Sequence, residues 1–190
     1  MDETFVSKLA GELEKRRREW EITKLKEELD VLRWWRSEEA KYRILTIARL
    51  LCLLGERKLD LSFCYLKGAR FDRIELKGAN LSGANCEGAF LNTMDLRKTD
   101  FIMARLRKAK LSGSDLSGAE LFKAHLRKAD LTRTILDGAN LSEADLRGAK
   151  SLTIEQLSKA KTLFRAKLDP ELMERVKKDY PVLLRYPDLL

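Results

Sequence analysis

Residues 119–131 read AELFKAHLRKADL, with Leu at positions 121, 126 and 131 and Ala two residues before each of them. This five-residue step continues without interruption through eighteen units, from about Leu59 to Leu146. The central residue is Leu in fifteen units, Phe in two (Phe71, Phe101) and Cys in one (Cys86). A helix repeats every 3.6 residues and a strand every two, so neither has a period of five. A fixed period of this kind indicates a solenoid.

The positions around each centre are also restricted. The residue two before the centre is small in fifteen of the eighteen units, and only Leu59, Ile74 and Met94 are large there. Asp or Asn stands directly before the centre in nine units, and short polar side chains stacked in this way are expected to satisfy neighbouring backbone groups. Gly stands two residues after the centre in eight units, which is typical of turns that need a permissive backbone.

The units at 79–83, 129–133 and 139–143, which read ANLSG, ADLTR and ANLSE, resemble the A(D/N)Lxx unit of the pentapeptide repeat family. The resemblance implies a right-handed quadrilateral β-helix, in which four units form one square coil of twenty residues. It also implies that the central and the small residue point inward and the other three point outward. We therefore predict an all-β solenoid of about 4.5 coils over residues 56–151, capped by α-helices at both ends.

The residues before the repeat, 1–55, are predicted to form a helical region and a cap. Lys41–Leu54 reads as an apolar helix that ends at Gly55 and covers the first coil. Glu12–Trp35 reads as a charged helix with a two-heptad seam at positions 22, 25, 29 and 32. This helix either folds back on the next helix or along the solenoid, or serves in dimerisation or partner binding. The tryptophans at 20, 34 and 35 would anchor either contact.

The residues after the repeat, 152–190, are predicted to form a helical C-terminal cap. Thr153–Gln156 has the form of a capping box that starts a short helix to about Ala160. Asp169 and Pro170 start a second helix, which ends near Asp179. The stretch resembles tails that close other bacterial pentapeptide repeat proteins. A homodimer formed through an end cap is an alternative to one formed through the N-terminal helix.

If four units make one coil, every fourth unit lies on the same side of the solenoid. The basic side is centred on 66, 86, 106, 126 and 146 and has seven cations against two carboxylates, a net charge of +5. The second side, centred on 71, 91, 111 and 131, has a net charge of +3, and the third side, centred on 76, 96, 116 and 136, has −1. The apolar-acidic side, centred on 61, 81, 101, 121 and 141, has −3. Charge is therefore sorted between the sides.

The apolar-acidic side has four large apolar residues at outward positions, and we predict that they form a protein contact: Phe63, Ile102, Met103 and Phe122. The last three lie on adjacent coils and are surrounded by carboxylates. The alternative is that a flanking helix covers them, which would make them part of the fold rather than a binding surface.

The basic side is predicted to be a candidate anion contact through seven residues: Lys67, Arg105, Arg107, Lys108, Arg127, Lys128 and Arg147. Five of these cations lie on two neighbouring coils, where like charges repel and favour an anionic partner. Sequence-specific recognition of nucleic acid usually also needs aromatic residues or a helix that enters a groove. The alternative is therefore a solvated charged face.

Catalytic, cofactor-binding and metal-binding residues are not expected. The single histidine, His125, lies between cations at an outward position, without an acid, nucleophile or metal ligand assigned to it. The Gly residues form no phosphate loop, and the spacing of the three cysteines matches no zinc motif. A small-molecule substrate is not expected either. Reduced cysteines, no signal peptide and no apolar span lead to the expectation of a cytoplasmic protein.

We predict a non-enzymatic protein–protein interaction scaffold with an unknown protein partner. The alternative function is binding of nucleic acid or an anionic membrane surface through the basic side. The resemblance also raises DNA mimicry, because some members of the family confer quinolone resistance by imitating DNA against topoisomerase with a strongly acidic rod. Two sides of this chain are positive, so DNA mimicry is not expected.

Overall fold

The computed structural model describes residues 3–186, so the first two and last four residues of the predicted terminal regions lie outside the described residues. In the described part of the chain, four α-helices and one 3₁₀-helix flank the repeat region. In chain order they are α1 Glu3–Leu32, α2 Glu38–Leu53, α3 Ile154–Ser158, α4 Pro170–Asp179 and the 3₁₀-helix η1 Pro181–Leu184. Within residues 3–186, no helix has the length and apolar character needed to cross a membrane.

Residues 59–150 form a four-sided solenoid that is held together by parallel bridges between successive coils. Fourteen bridges join residues that are twenty apart in sequence, such as Asp60 with Asn80 and Tyr65 with Asn85. Each bridge involves the residue directly before a unit centre, and a turn follows at once. For this reason, no side of the described chain contains a strand longer than one bridged residue. Backbones paired in this way lie about 4.8 Å apart, which sets the rise from coil to coil.

The interior of the solenoid is filled by the repeating residues. All eighteen unit centres are buried, none of them more than 4% exposed. The residues two positions before the centres are buried as well, except Met94, which is partly exposed. The residue two after the centre has a positive φ in all eighteen units, and in ten of them it is not Gly. A residue other than Gly in that left-handed backbone conformation costs about 1–2 kcal/mol of conformational free energy. The geometry of the square turn therefore outweighs the local backbone preference of these residues.

Helix α2 covers the first coil of the solenoid. Ile44, Ile47 and Leu51 are buried in the same apolar core as the unit centres. At the rim of this contact, Lys41 Nζ donates to the carbonyl oxygen of Lys67 at 3.0 Å. The apolar contacts bury the core layer of the first coil, and the bond from Lys41 gives a backbone carbonyl group of that coil a partner.

The C-terminal half of α1 packs on α2. Leu29 is buried, and Ile22, Leu25 and Leu32 are partly buried against the same core. Glu28 accepts two hydrogen bonds from the Arg43 guanidinium, the longer of them 2.7 Å, and this contact lowers the pKa of the Glu28 carboxyl. The two-heptad seam of the sequence is therefore an intramolecular contact, as in the alternative in which the helix folds back.

The bridged ladder continues beyond residue 151, the predicted end of the repeat, into the region 152–190 predicted to be a helical cap. After α3, Thr162 bridges Asn140 and Lys167 bridges Asp145, both with a spacing of twenty-two residues. Leu163 and Leu168 are the buried centres of these two additional units. The insertion of α3 lengthens this coil by two residues. The two additional units therefore fall outside the strict five-residue period of the sequence.

The first two coils separate at one corner. The N–H groups of Phe71, Arg73, Leu76 and Asp95 make none of the ladder bonds that their equivalents make one coil later in the described chain. The corner holds Ile74 and Met94, where the next two coils have Ser114 and Thr134. The larger side chains hold the coils apart. A cleft of about 370 Å³ opens there, lined by residues between Arg70 and Met94.

Candidate interaction surfaces

The outward side chains are displayed in vertical columns, because equivalent positions stack from coil to coil. All nine Asp and Asn residues directly before a unit centre accept a hydrogen bond from the backbone N–H two residues later in the same coil. The bond from Ile102 N to Asp100 Oδ1 is 2.8 Å. The polar column therefore stabilises its own turn, and the next two positions are left to face solvent or a partner.

On the apolar-acidic side, Phe63 is the one predicted contact residue that stacks on the segment directly after α1 in the described part of the chain. Its ring stacks on Trp34, with 5.9 Å between ring centroids and 17° between ring planes. It also lies over Gly83, where an added Cβ would come within 2.6 Å of the ring. The guanidinium of Arg33 donates to Ser62 Oγ at 2.7 Å. On the first coil of this side, Phe63 is therefore covered in part by the segment directly after α1, and not by a helix as in the predicted alternative.

The other three predicted contact residues lie farther along the same side. Met103 is 51% exposed, and Ile102 and Phe122 are partly exposed. Lys123 Nζ lies 4.8 Å from the centre of the Phe122 ring and 3.6 Å from Glu143. Arg33 and Trp34, directly after α1, contact this side at Asp60, Ser62 and Phe63.

Trp34 was not among the predicted contact residues, although it extends the apolar surface. It is 68% exposed while one face of its ring stacks on Phe63. The sequence marks it as a contact anchor, but the loop after α1 gives no periodicity from which its neighbour could be inferred.

On the basic side, two of the seven predicted cations have carboxylate partners. Arg107 lies 3.8 Å from Glu87, and Arg147 makes two bonds to Asp145, of 2.7 and 2.8 Å. The Arg147 guanidinium holds the pKa of the Asp145 carboxyl below its ordinary value. The remaining five cations make no ion pair within residues 3–186: Lys67, Arg105, Lys108, Arg127 and Lys128.

The single histidine, His125, is exposed, Cys52 is partly exposed, and Cys64 and Cys86 are buried. Burial raises the pKa of the Cys64 thiol to about 12 and raises that of Cys86 as well, so neither is a ready nucleophile. Within residues 3–186, no group of three or more His, Cys, Asp and Glu side chains is arranged to hold a metal ion.

The repeat pattern and the fourfold ladder together define a solenoid of pentapeptide units. The sequence profile described as pentapeptide repeats matches eight times, over residues 57–85, 74–113 and 114–150, about half of the chain. The chain belongs to the pentapeptide repeat family. The fold of that family is a right-handed quadrilateral β-helix, in agreement with the four bridged sides.

Three solved structures illustrate the similarity. A pentapeptide repeat protein of the cyanobacterium Cyanothece 51142 is 30% identical over 51% of this chain and 61% of its own, with a TM-score of 0.40. One from Nostoc PCC 7120 is 26% identical over 70% and 96%, with a TM-score of 0.48. Another from Nostoc sp. strain PCC 7120, involved in heterocyst differentiation regulation, is 28% identical over 63% of both chains, with a TM-score of 0.24. Curated proteins give no match to the sequence.

Proposed function

We propose that this protein is a non-enzymatic scaffold that binds a partner protein through the apolar-acidic side of its solenoid. The observation that supports this proposal is the cluster of Ile102, Met103 and Phe122, whose side chains are exposed or partly exposed to solvent. Large apolar side chains gathered on one side of a well-packed protein are characteristic of interaction sites.

The backbone geometry favours this use of the cluster. Ile102 and Phe122 occupy equivalent positions on neighbouring coils, and the N–H of Met103 donates to the carbonyl oxygen of Phe122 at 2.9 Å. The ladder therefore holds the apolar side chains in place before a partner arrives, which lowers the entropic cost of binding. Asp100 and Glu120 border the cluster, so the complementary partner has apolar anchors flanked by cations.

The proposal is tested by changing the cluster without disturbing the core. In Ile102→Asp with Phe122→Asp, partner capture from a lysate of the native host should be lost, because both changes place charge in the apolar contact. Ile135→Asp is the matched control, since Ile135 is an apolar residue 45% exposed on the third side. Circular dichroism and thermal unfolding should show both variants folded. Equal capture by the double variant and the native protein would contradict the proposal.

The second candidate function is binding of an anionic polymer or surface through the basic side. The observation that favours it is the set of five cations that form no ion pair with any described residue, four of them on two neighbouring coils. Such cations release counterions when they bind phosphate, so affinity falls steeply with salt.

Fluorescence anisotropy with labelled DNA and RNA, and co-sedimentation with anionic vesicles, measure this second function. Arg127→Glu with Lys128→Glu should abolish salt-sensitive binding. Arg73→Glu with Arg133→Glu makes the same change of charge at exposed positions of the second side and should have a smaller effect. An equal loss in the two variants would show a general charge effect rather than a site.

We also propose that both ends of the solenoid are capped. Helix α2 covers the first coil, and the last bridged coil is covered where Leu163 N donates to the carbonyl oxygen of Leu183 at 2.7 Å. A capped solenoid presents its sides, rather than its ends, to partners.

A further inference from the structure

Residues 10–21 of α1 have no tertiary partner within the part of the chain that the structure describes. Residues 10–21 are all exposed, whereas the C-terminal half of the same helix packs on α2 through Leu29. An isolated helix of this length is only marginally stable in water. A contact along residues 10–21 would therefore stabilise them.

The face of α1 opposite its packed side has an apolar stripe of its own. Leu13, Trp20 and Val31 are 59%, 63% and 61% exposed. At about 100° per residue, Trp20 lies within about 20° of both Leu13 and Val31 around the helix axis. Leu29, at the centre of the packed face, lies about 180° away. The stripe therefore faces away from α2 and the solenoid.

We propose that this stripe binds the same stripe of a second copy, so that two α1 helices pair in parallel. With Leu13 and Trp20 at heptad position a, Arg16 and Thr23 fall at the d positions that follow them. In such a pair the alkyl stem of Arg16 covers the seam and its guanidinium reaches water. A polar residue in a seam lowers stability and fixes the register.

The charges beside the stripe select a second copy and the parallel orientation. Glu12 and Glu19 fall at g, and Arg17 and Lys24 at e. In a parallel pair, Glu12 faces Arg17 of the second copy, and Glu19 faces Lys24 of the second copy. In an antiparallel pair, g faces g and e faces e, so carboxylates would meet carboxylates and cations would meet cations.

The contacts within the chain leave these groups available. Within residues 3–186, Glu12, Arg17 and Lys24 form no ion pair, and Glu19 is only 3.9 Å from Lys15 at the exposed surface. Lys24 Nζ lies 4.8 Å from the centre of the Trp20 ring. Lys24 therefore borders the stripe, where it can meet a carboxylate from a second helix.

Sedimentation equilibrium of the full chain tests the proposal. The native protein should shift from monomer to dimer between low and high micromolar concentrations, and Leu13→Glu with Trp20→Glu should remain monomeric. Leu53→Glu is the matched control, because Leu53 is an apolar residue 77% exposed at the end of α2, and this variant should dimerise like the native protein. All three proteins should unfold at similar temperatures, since the changed residues lie outside the core.

A charge exchange tests the orientation. Glu12→Lys with Glu19→Lys and Arg17→Glu with Lys24→Glu should each dimerise at least about tenfold more weakly than the native protein, and an equimolar mixture of the two should recover dimerisation. A native protein that stays monomeric at high micromolar concentration overturns the proposal. Stripe variants that dimerise normally overturn it as well, and so does a stripe that binds only an unrelated protein or vesicles.

Discussion

At the scale of single residues, the Asp and Asn before the unit centres act within their own turn. The sequence predicted that these side chains satisfy neighbouring backbone groups. Each accepts a hydrogen bond from the backbone N–H two residues later, as in the bond from Ser82 N to Asn80 Oδ1. A bond from Asn140 Nδ2 to Glu120 joins such side chains of two coils. The five-residue spacing of these side chains in the sequence identifies the column that they form. Which backbone group each side chain bonds is determined by the geometry of the turn.

Asp95 gives a prediction for the stability of the protein in acid. It accepts two bonds from the Arg97 guanidinium, at 2.6 and 2.8 Å, and these bonds lower the pKa of its carboxyl to about 2. Because the folded-state pKa lies below the unfolded value of about 4, its contribution to stability is complete above pH 4 and is lost as the pH falls to 2. The exposed pair makes this contribution small.

Urea unfolding at pH 4 and at pH 2 measures this contribution. Asp95→Asn should lose less stability between the two pH values than the native protein does. Asp137→Asn is the control, since Asp137 lies on the same side and its carboxylate makes no ion pair in the described chain. An unchanged pH dependence in Asp95→Asn would show that the bonds to Arg97 do not stabilise the fold.

Gly83 and Gly88 separate the cost of backbone conformation from that of contact. Both have a φ near +65°, but a Cβ at Gly83 meets the Phe63 ring at 2.6 Å, and one at Gly88 meets open space. Gly88→Ala should therefore cost only about 1–2 kcal/mol of backbone strain, and Gly83→Ala about 1 kcal/mol or more beyond that. Urea unfolding gives both values. In a Phe63→Ala background the difference should vanish, and a difference that persists would contradict this reasoning.

At the scale of elements, the corner of Ile74 and Met94 shows how far a sequence irregularity can be interpreted. Both residues are large at the position two before the unit centre, which is small in fifteen of the eighteen units. The structure places them on adjacent coils where the ladder opens. The sequence shows the two large residues, but it does not show that the ladder opens beside them. That opening depends on how far each coil can shift before core contacts are lost.

The open corner gives a prediction for hydrogen exchange. The amides of Phe71 and Arg73 should exchange at least about tenfold faster than those of Leu91 and Thr93, their bonded equivalents one coil later. Met94→Ala removes bulk from the corner and should increase protection at Leu76 and Asp95. NMR-detected exchange measures both effects, with Met103→Ala on the apolar-acidic side as the control. Equal rates at the two pairs in the native protein would contradict the opening.

Helix α1 shows a second limit of sequence interpretation. Its heptad seam at 22–32 was visible, but folding back and partner binding use the same apolar spacing. The choice depends on whether α2 offers a complementary face, and the ion pair of Glu28 with Arg43 is one of the tertiary contacts that make it do so. The opposite face, with Leu13 and Trp20, gives too short a pattern to be identified before the packed face is known.

At the scale of the whole molecule, a period of five and a coil of twenty were sufficient to sort the outward residues onto four sides. That assignment agrees with the bridges, such as Arg105 with His125 on the basic side. The C-terminal boundary was not predictable in the same way. The units centred on Leu163 and Leu168 are shifted by two residues, because α3 is inserted into their coil. Only the three-dimensional ladder shows that Thr162 and Lys167 belong to it.

The C-terminal end of the solenoid gives a prediction for assembly. Leu183 in η1 is buried, and its carbonyl oxygen accepts from Leu163 N at 2.7 Å, so η1 covers the last bridged coil. Leu183→Asp should displace η1 and expose an apolar layer with unpaired backbone groups, which favours end-to-end association. Light scattering during gel filtration should show species larger than those of the native protein. Val182→Asp changes the preceding residue, which is 42% exposed, and should leave the assembly state unchanged. If Leu183→Asp stays folded at the native size, η1 does not protect this end.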